Sequence, residues 1–175
     1  ERRGTCNLII LDCAAVPSTI VELLSHQNFA DMRLGHDPNF KFTVGRSIYK
    51  AILQYLCDQH GKDYVVQPLP VSNFAIRFGN KKNTLELSWN GEEDPLEPTA
   101  KPREYIVYTR IGRGGFDNGI RVNSPSYTVK IEPGIVYSFL VTAANRGGES
   151  FPSEILAAYK AKKENPMISS DVRLF

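Results

Sequence analysis

The sequence predicts a mainly β fold, a two-sheet β-sandwich over residues 68–161 preceded by a small, incomplete α/β segment over residues 1–67. Composition changes near Gln67–Pro70, where two prolines stiffen the backbone and remove ladder donors. Beyond that point short apolar stretches alternate with polar ones, and turn residues recur at intervals typical of a sandwich. Residues 162–175 are predicted to be a polar tail.

The second segment carries six predicted strands. Along one of them, Leu85, Leu87 and Trp89 alternate with polar residues, which is the period of two expected of a sheet with one wet face. The Asn118-Gly119 pair tolerates positive φ and predicts a hairpin turn. The predicted strands are Phe74–Phe78, Thr84–Trp89, Tyr105–Ile111, Tyr127–Ile131, Val136–Ala143 and Ile155–Tyr159.

The first segment has a different pattern. Asn7–Asp12 and Thr19–Leu24 are continuously apolar, as are parallel strands that are covered on both faces. Gly45–Gln59 is predicted to be a helix, with Thr43 as its cap and Gly61 after its end. One stripe of the kind that is buried in a complete domain is expected on this helix, formed by Ile48, Tyr49, Ile52, Leu53 and Leu56; because the segment is incomplete, part of this stripe is expected to be exposed. Two strands and one helix bury little core, so this segment is expected to be part of a larger domain.

Charge and cysteine content exclude several functions. Residues 1–67 carry seven basic and seven acidic side chains, and no element concentrates Lys and Arg as a nucleic-acid binder would. No apolar run is long enough to span a membrane. The three cysteines, Cys6, Cys13 and Cys57, have no metal-type spacing and are expected to be reduced and inert.

Two stretches of the second segment resemble a known family. Glu132–Asn145 (EPGIVYSFLVTAAN) resembles the sixth-strand signature of fibronectin type III domains, and Gly147–Ser153 (GGESFPS) resembles their final turn. Trp89 stands where that family keeps its core tryptophan, and Tyr137 matches its tyrosine corner. The resemblance implies an immunoglobulin-like sandwich with Trp89 and Tyr137 in its structural core. The inward partners of Trp89 are expected to be Ile106, Tyr108, Phe139 and Val141.

A second resemblance concerns the first segment. Pro17–Asn28 (PSTIVELLSHQN) resembles the last catalytic strand of zinc-dependent N-acetylmuramoyl-L-alanine amidases. That family has an apolar strand ending in Glu, an Asn six residues later and a closing helix, an order that Glu22 and Asn28 fit; its Gly-Phe pair is Leu24-Ser25 here. An amidase end followed by a fibronectin-like domain is similar to secreted bacterial envelope proteins often labelled xanthan lyase. Nothing in these residues supports lyase chemistry.

Glu22 is the candidate catalytic residue. The resemblance implies that it acts as proton acceptor or charge stabiliser while a metal-bound water attacks an amide. The alternative is a structural carboxylate paired with Arg33, Arg46 or a backbone cap. The amidases take their zinc ligands from upstream of this strand, where the chain has no histidine. We therefore expect no metal site or cofactor in this chain, and zinc only in a longer parent protein.

The loop Gly112–Gly119 (GRGGFDNG) is glycine-rich but lacks the phosphate-loop order and a following helix. It is predicted to be a hairpin turn. Phe116 within it is the candidate ligand contact, because an exposed aromatic ring can stack on a sugar.

Together these features predict a non-catalytic accessory, spacer or interaction domain of a secreted or periplasmic bacterial envelope protein, its signal peptide outside this chain. Its expected partner is the preceding catalytic region, with cell-wall glycan or another protein as further partners. Two alternatives stay open: a fragment of a zinc-dependent peptidoglycan amidase that uses Glu22, and a carbohydrate- or protein-binding module that uses Phe116. The chain as given is expected to be inactive.

Overall fold

The structure is a computed structural model that describes residues 17 and 19–162. The chain forms two compact units, Glu1–Ala51 and Ile52–Phe175, and the division falls inside a helix. Compactness alone does not define an independently folding domain, so the domain boundaries at 67/68 and 161/162 remain predictions. Within the described residues, no helix is both long and apolar enough to cross a bilayer.

Two helices precede the strands: α1 (Phe29–His36) and α2 (Pro38–His60). Asn28 caps α1, since its side chain accepts hydrogen bonds from the N–H groups of Ala30 and Asp31. The predicted helix start and cap were wrong. Thr43 lies inside α2 and donates to the Asn39 carbonyl at 2.8 Å, whereas the Asp37 carboxylate accepts from the Asn39 N–H at 2.8 Å, with Pro38 in the first turn.

The apolar stripe of α2 is only partly covered. Ile52 and Leu56 are 54% and 46% exposed, and Cys57 is the one buried residue of this helix. The partial exposure of the stripe confirms what is expected of an incomplete segment, because periodicity shows which side of a helix is apolar but not whether that side is covered.

The strand predicted over Thr19–Leu24 was also wrong. These residues form no strand, and Ile20, Val21 and Leu23 are 41%, 51% and 52% exposed. A continuously apolar strand needs neighbours in a sheet, and no described residue before Ser72 lies in a strand. The segment described before the sandwich is therefore helical. The strand predicted over Asn7–Asp12 lies outside the described residues.

Within residues 19–162, eight strands form two antiparallel sheets, which confirms the predicted mainly β sandwich. The smaller sheet has the order β1-β2-β5, and the larger has β4-β3-β6 with β7 and β8 both paired to β6. All six predicted strands exist within a few residues of their predicted bounds; β4 and β7 were missed because they are only three and two residues long. The strands are β1 (Ser72–Phe78), β2 (Thr84–Asn90), β3 (Glu104–Ile111), β4 (Ile120–Val122), β5 (Ser126–Lys130), β6 (Val136–Asn145), β7 (Gly148–Glu149) and β8 (Leu156–Tyr159).

The core lies between the inner faces of the two sheets. Trp89 is 3% exposed, and its ring meets those of Phe74 and Tyr105 edge-on at 6.4 and 5.4 Å between centroids. Opposite it, β6 contributes Tyr137, Phe139, Val141 and Ala143 at alternating positions. The residues of β3 that face the core are shifted by one position from the predicted ones. Tyr105 and Val107 pack on the core, whereas the partners predicted in their place, Ile106 and Tyr108, lie on the outer face.

The last strand of the larger sheet is interrupted, and two serines take over its hydrogen bonds. The hydroxyls of Ser150 and Ser153 accept from the backbone N–H groups of Ala143 and Val141 at 2.9 and 3.0 Å. Their own N–H groups donate back to the same two residues' carbonyls at 2.8 and 2.9 Å. The serines thus supply hydrogen-bond partners for the backbone groups in the central part of β6, which neither β7 nor β8 pairs with.

We expect Trp89→Ala to lower the free energy of unfolding by about 3–5 kcal/mol, because it removes the largest ring between the sheets. Trp89→Phe is the matched control, and its loss should be smaller, since the buried indole N–H has no hydrogen-bond partner among the described residues. Urea unfolding followed by circular dichroism measures both. A Trp89→Ala loss no larger than that of Trp89→Phe would contradict this packing.

Candidate functional site

The chain that enters the sandwich, Asp63–Pro68, is here called the lead-in segment. Its centre, Val66, is fully buried. The Val66 N–H donates to Thr99 Oγ1 at 3.1 Å, and the Val66 carbonyl accepts from Asn145 Nδ2 at 2.9 Å. Both backbone groups are thus satisfied by side chains of the sandwich, so the segment is anchored as a strand would be, although it pairs with none.

Asn145, at the end of β6, holds three stretches of chain together. Its side-chain N–H₂ group approaches the carbonyl oxygens of Val66, Thr99 and Lys101 at 2.9, 3.1 and 3.4 Å. Its Oδ1 accepts from the Gly147 N–H at 2.7 Å. Only a side chain with both donors and an acceptor can make this set of contacts, which an aspartate or leucine could not.

Gly147 is required by close approach. A Cβ at this position would overlap the Val65 carbonyl oxygen and lie 2.8 Å from the carbonyl carbon of Val66. Both atoms belong to the backbone, so the lead-in segment would have to move. The sequence shows only a strand end followed by two glycines, and that signal indicates a turn rather than a contact with a segment some 80 residues away.

A buried carboxylate lies next to this contact. Glu97 is 8% exposed; its Oε2 accepts from the Tyr64 hydroxyl at 2.8 Å and its Oε1 from the Thr99 hydroxyl at 2.7 Å. Hydrogen bonds of this kind compensate the desolvation of a buried charge. Tyr64 is thereby joined to the turn that also holds Val66.

The start of the lead-in segment has two weaker contacts. The Cys57 thiol is buried and lies 3.5 Å from the Asp63 carbonyl oxygen. The Asp63 carboxylate pairs with Arg146 at 3.3 Å, with both side chains largely exposed. Cys57 is a free cysteine in a packing role, whereas Cys6 and Cys13 lie outside the described residues.

A cleft of about 690 Å³ opens beside the anchored segment. Its apolar walls come from Val65, Pro98 and Pro102, and its polar lining contains no acidic side chain. The polar lining residues are Thr99, Lys101, Arg103, Asn145 and Arg146. The size is that of a small-ligand site, although the cleft is open to solvent.

The predicted ligand contact, Phe116, lies on the opposite side of β3 from the core. It is half-buried, and the guanidinium carbon of Arg110 lies 4.9 Å from its ring centroid. One face of the ring is thus covered, contrary to the expectation of an open stacking platform. The loop is the predicted hairpin: Asp117 Oδ1 accepts from the N–H groups of Thr109 and Gly119, both at 3.0 Å.

A polar cluster covers the outer face of the larger sheet beyond Phe116. Glu149 Oε1 accepts from the Tyr108 hydroxyl at 2.7 Å and from the Thr142 hydroxyl at 2.6 Å. Partial burial raises the pKa of the Tyr108 phenol above its ordinary value, and the hydrogen bond to Glu149 is a second, smaller cause of the same rise. These groups tie β3 and β6 to the final turn.

The structure does not assemble a catalytic centre around Glu22 in the residues that it describes. Glu22 is exposed and lies outside any strand, so it does not end the apolar strand that the resemblance implies. Asn28, the second residue of the amidase-like pattern, uses its side chain to cap α1. Among residues 17 and 19–162, no three His, Cys, Asp or Glu side chains group closely enough to hold a metal ion. The catalytic role of Glu22 stays a prediction.

The sheet order and one side-chain bond define the class of the sandwich. Three strands (β1, β2, β5) face five that are built on β3 and β6, with β4 on the larger sheet. The Tyr137 hydroxyl accepts a hydrogen bond from the Glu132 N–H at 3.2 Å, and this contact is the tyrosine corner found in immunoglobulin-like sandwiches. Residues 72–159 form a fibronectin type III-like β-sandwich.

Several solved structures are similar to part of this chain. A solved myokine structure is 21% identical, covers 55% of this chain and 100% of its own, and superposes with a TM-score of 0.45. A human fourth FNIII domain is 19% identical over 59% of this chain and 87% of its own, with a TM-score of 0.48. The chicken CNTN1 FN1–FN3 domains are 13% identical over 58% of this chain but only 34% of their own, with a TM-score of 0.48. No family model and no curated protein matches the sequence.

We expect Glu149→Gln to lower the Tyr108 pKa while leaving it above the ordinary value, because burial is the larger cause. A pKa raised by folding means that the phenolic proton stabilises the fold at lower pH, and that this contribution is lost as pH rises through the folded-state pKa. Carbon-13 NMR titration of the tyrosines measures the shift, with Glu154→Gln as the control. An unchanged Tyr108 pKa in Glu149→Gln would show that the carboxylate does not act on this phenol.

Proposed function

We propose that the sandwich is a non-catalytic spacer that fixes the direction in which the preceding chain enters it. The anchored lead-in segment carries this proposal. Val66 is fully buried, and both of its backbone groups are bonded to side chains of the sandwich. A flexible linker would leave these groups in water. An interaction domain that held its neighbour loosely would need none of these contacts.

The anchor involves several independent groups. Asn145 and Thr99 hold the backbone of Val66, Glu97 holds the Tyr64 hydroxyl, and Pro68 is fully buried at the end of the segment. Each hydrogen bond contributes about 0.5–1.5 kcal/mol, and an unpaired buried partner costs more. Ordering the backbone costs about 1–2 kcal/mol for each position, so the burial of Val66 and Pro68 must add to these hydrogen bonds to hold the segment in place.

We expect Gly147→Ala to release the lead-in segment while the sandwich stays folded, because its methyl group would occupy the position of the Val65 carbonyl. Nitrogen-15 relaxation should show residues 63–67 as rigid as the strands in the parent chain and mobile on the nanosecond scale in the variant. Gly115→Ala is the matched control, since nothing lies within 4 Å of a Cβ there. A lead-in segment that is already mobile in the parent chain would contradict the spacer function.

The finer form of the proposal places this spacer in a secreted bacterial envelope protein, behind the catalytic region of an N-acetylmuramoyl-L-alanine amidase-like parent. Its support is the sequence pattern of Glu22 and Asn28, together with a following helix. If the ligands of the zinc belong to the parent, metal analysis of the purified chain will find no stoichiometric zinc. One tightly bound zinc for each chain would instead favour a catalytic fragment that uses Glu22.

The binding-module alternative keeps Phe116 as its contact. The Arg110–Phe116 pair leaves one ring face for a ligand at most. Cell-wall glycan and other proteins therefore stay proposed partners, and loss of glycan binding in Phe116→Ala would favour this alternative.

A further inference from the structure

The cleft beside the lead-in segment has a charge pattern that its surroundings do not share. Three of the eight residues that line it are cationic (Lys101, Arg103 and Arg146), and none is acidic. The chain as a whole is nearly balanced, with 21 basic and 19 acidic side chains. A concave surface with cations of one sign focuses an attractive potential on anions.

The three cations differ in how they are held. Lys101 pairs with Glu93 at 2.8 Å and Arg146 with Asp63 at 3.3 Å, and all four side chains are about two-thirds exposed or more. Exposed pairs of this kind are weak and exchange readily with another anion. The Arg103 guanidinium makes no ion pair or hydrogen bond to any described residue. It is therefore the cation with the most unused capacity for a carboxylate.

The walls of the cleft favour an extended chain over a small ion. Val65, Pro98 and Pro102 provide stiff apolar surface, and the backbone around Asn145 is fixed by its three carbonyl contacts. A single phosphate would contact one or two cations and leave most of the roughly 690 Å³ to water. A short peptide could place its methylenes on the prolines and its carboxylates on separate cations.

We propose that this cleft binds an acidic peptide segment, with Arg103 as its main carboxylate contact and Lys101 and Arg146 as flanking contacts. The occupant is a stretch of consecutive Glu or Asp residues in a partner protein. Guanidinium groups bind carboxylates in a bidentate manner, which gives an orientation as well as an attraction.

Binding at this site is linked to the anchor, and this part rests on the proposed spacer function. Val65 forms one wall of the cleft and is the neighbour of the buried Val66. A peptide that contacts Val65 and Arg103 together binds the anchored state only, so it stabilises that state by mass action. An acidic partner would then stiffen the entry to the sandwich.

The test is titration of the full chain with a terminally blocked tetraglutamate peptide, followed by amide chemical shifts and calorimetry. We expect shifts confined to the lining residues, no binding of tetraglutamine, and weakening of binding as salt rises to physiological strength. Arg103→Gln should weaken binding roughly fivefold, the effect of losing about 1 kcal/mol of ionic attraction. Arg113→Gln, which removes the same charge from an exposed loop outside the cleft, should change nothing.

The proposal would be overturned by a lack of saturable tetraglutamate binding at low salt, by equal binding of tetraglutamine, or by equal weakening in Arg103→Gln and Arg113→Gln. Inorganic phosphate is the third probe, and binding as tight as that of tetraglutamate would show a simple ion site instead of a peptide site. Relaxation of residues 63–67 in the free chain separates the two ideas. A rigid segment without peptide binding refutes the cleft alone, whereas a mobile segment refutes the spacer.

Discussion

The sandwich depends on the burial of two inner sheet faces against each other around Trp89 and Phe139. Both rings are almost wholly removed from water, at 3% and 0% exposure. Because side chains alternate along a strand, this burial fixes the register of β6 and sends every second residue outward. The same register places Asn145 at the end of β6, where its amide meets the lead-in segment. The functional surface is thus a consequence of the core.

The anchoring of the lead-in segment determines how the preceding chain joins the sandwich. Two prolines and a change of composition indicated a domain boundary near residue 68, and Val66 and Pro68 are among the most buried residues of the sandwich unit. The boundary residues pack as part of the sandwich because Gly147 leaves room for their backbone and Asn145 and Thr99 bond it. This anchoring is the basis of the proposal that the sandwich fixes an orientation rather than merely a distance.

The fold could be predicted from the sequence, but the site could not. Two features of the fold depend only on local spacing, which can be seen in the sequence. They are the alternation of Leu85, Leu87 and Trp89 and the tyrosine corner at Tyr137. Tyr108 was assigned to the wrong face because β3 has apolar residues on both sides, so that the pattern allows either register. Asn145, Gly147 and Glu97 act through residues distant in the chain, and no local pattern marks such contacts. Thr19–Leu24 shows the opposite error: its composition is that of a strand, but no described strand pairs with it.

Native-state hydrogen exchange of the Val66 amide tests the central claim most directly. The claim that the lead-in segment is part of the folded sandwich predicts that this amide opens with the same free energy as the Phe139 amide in β6, and with the same denaturant dependence. Exchange of Val66 at a rate near that of an unfolded chain, while Phe139 stays protected, would contradict it.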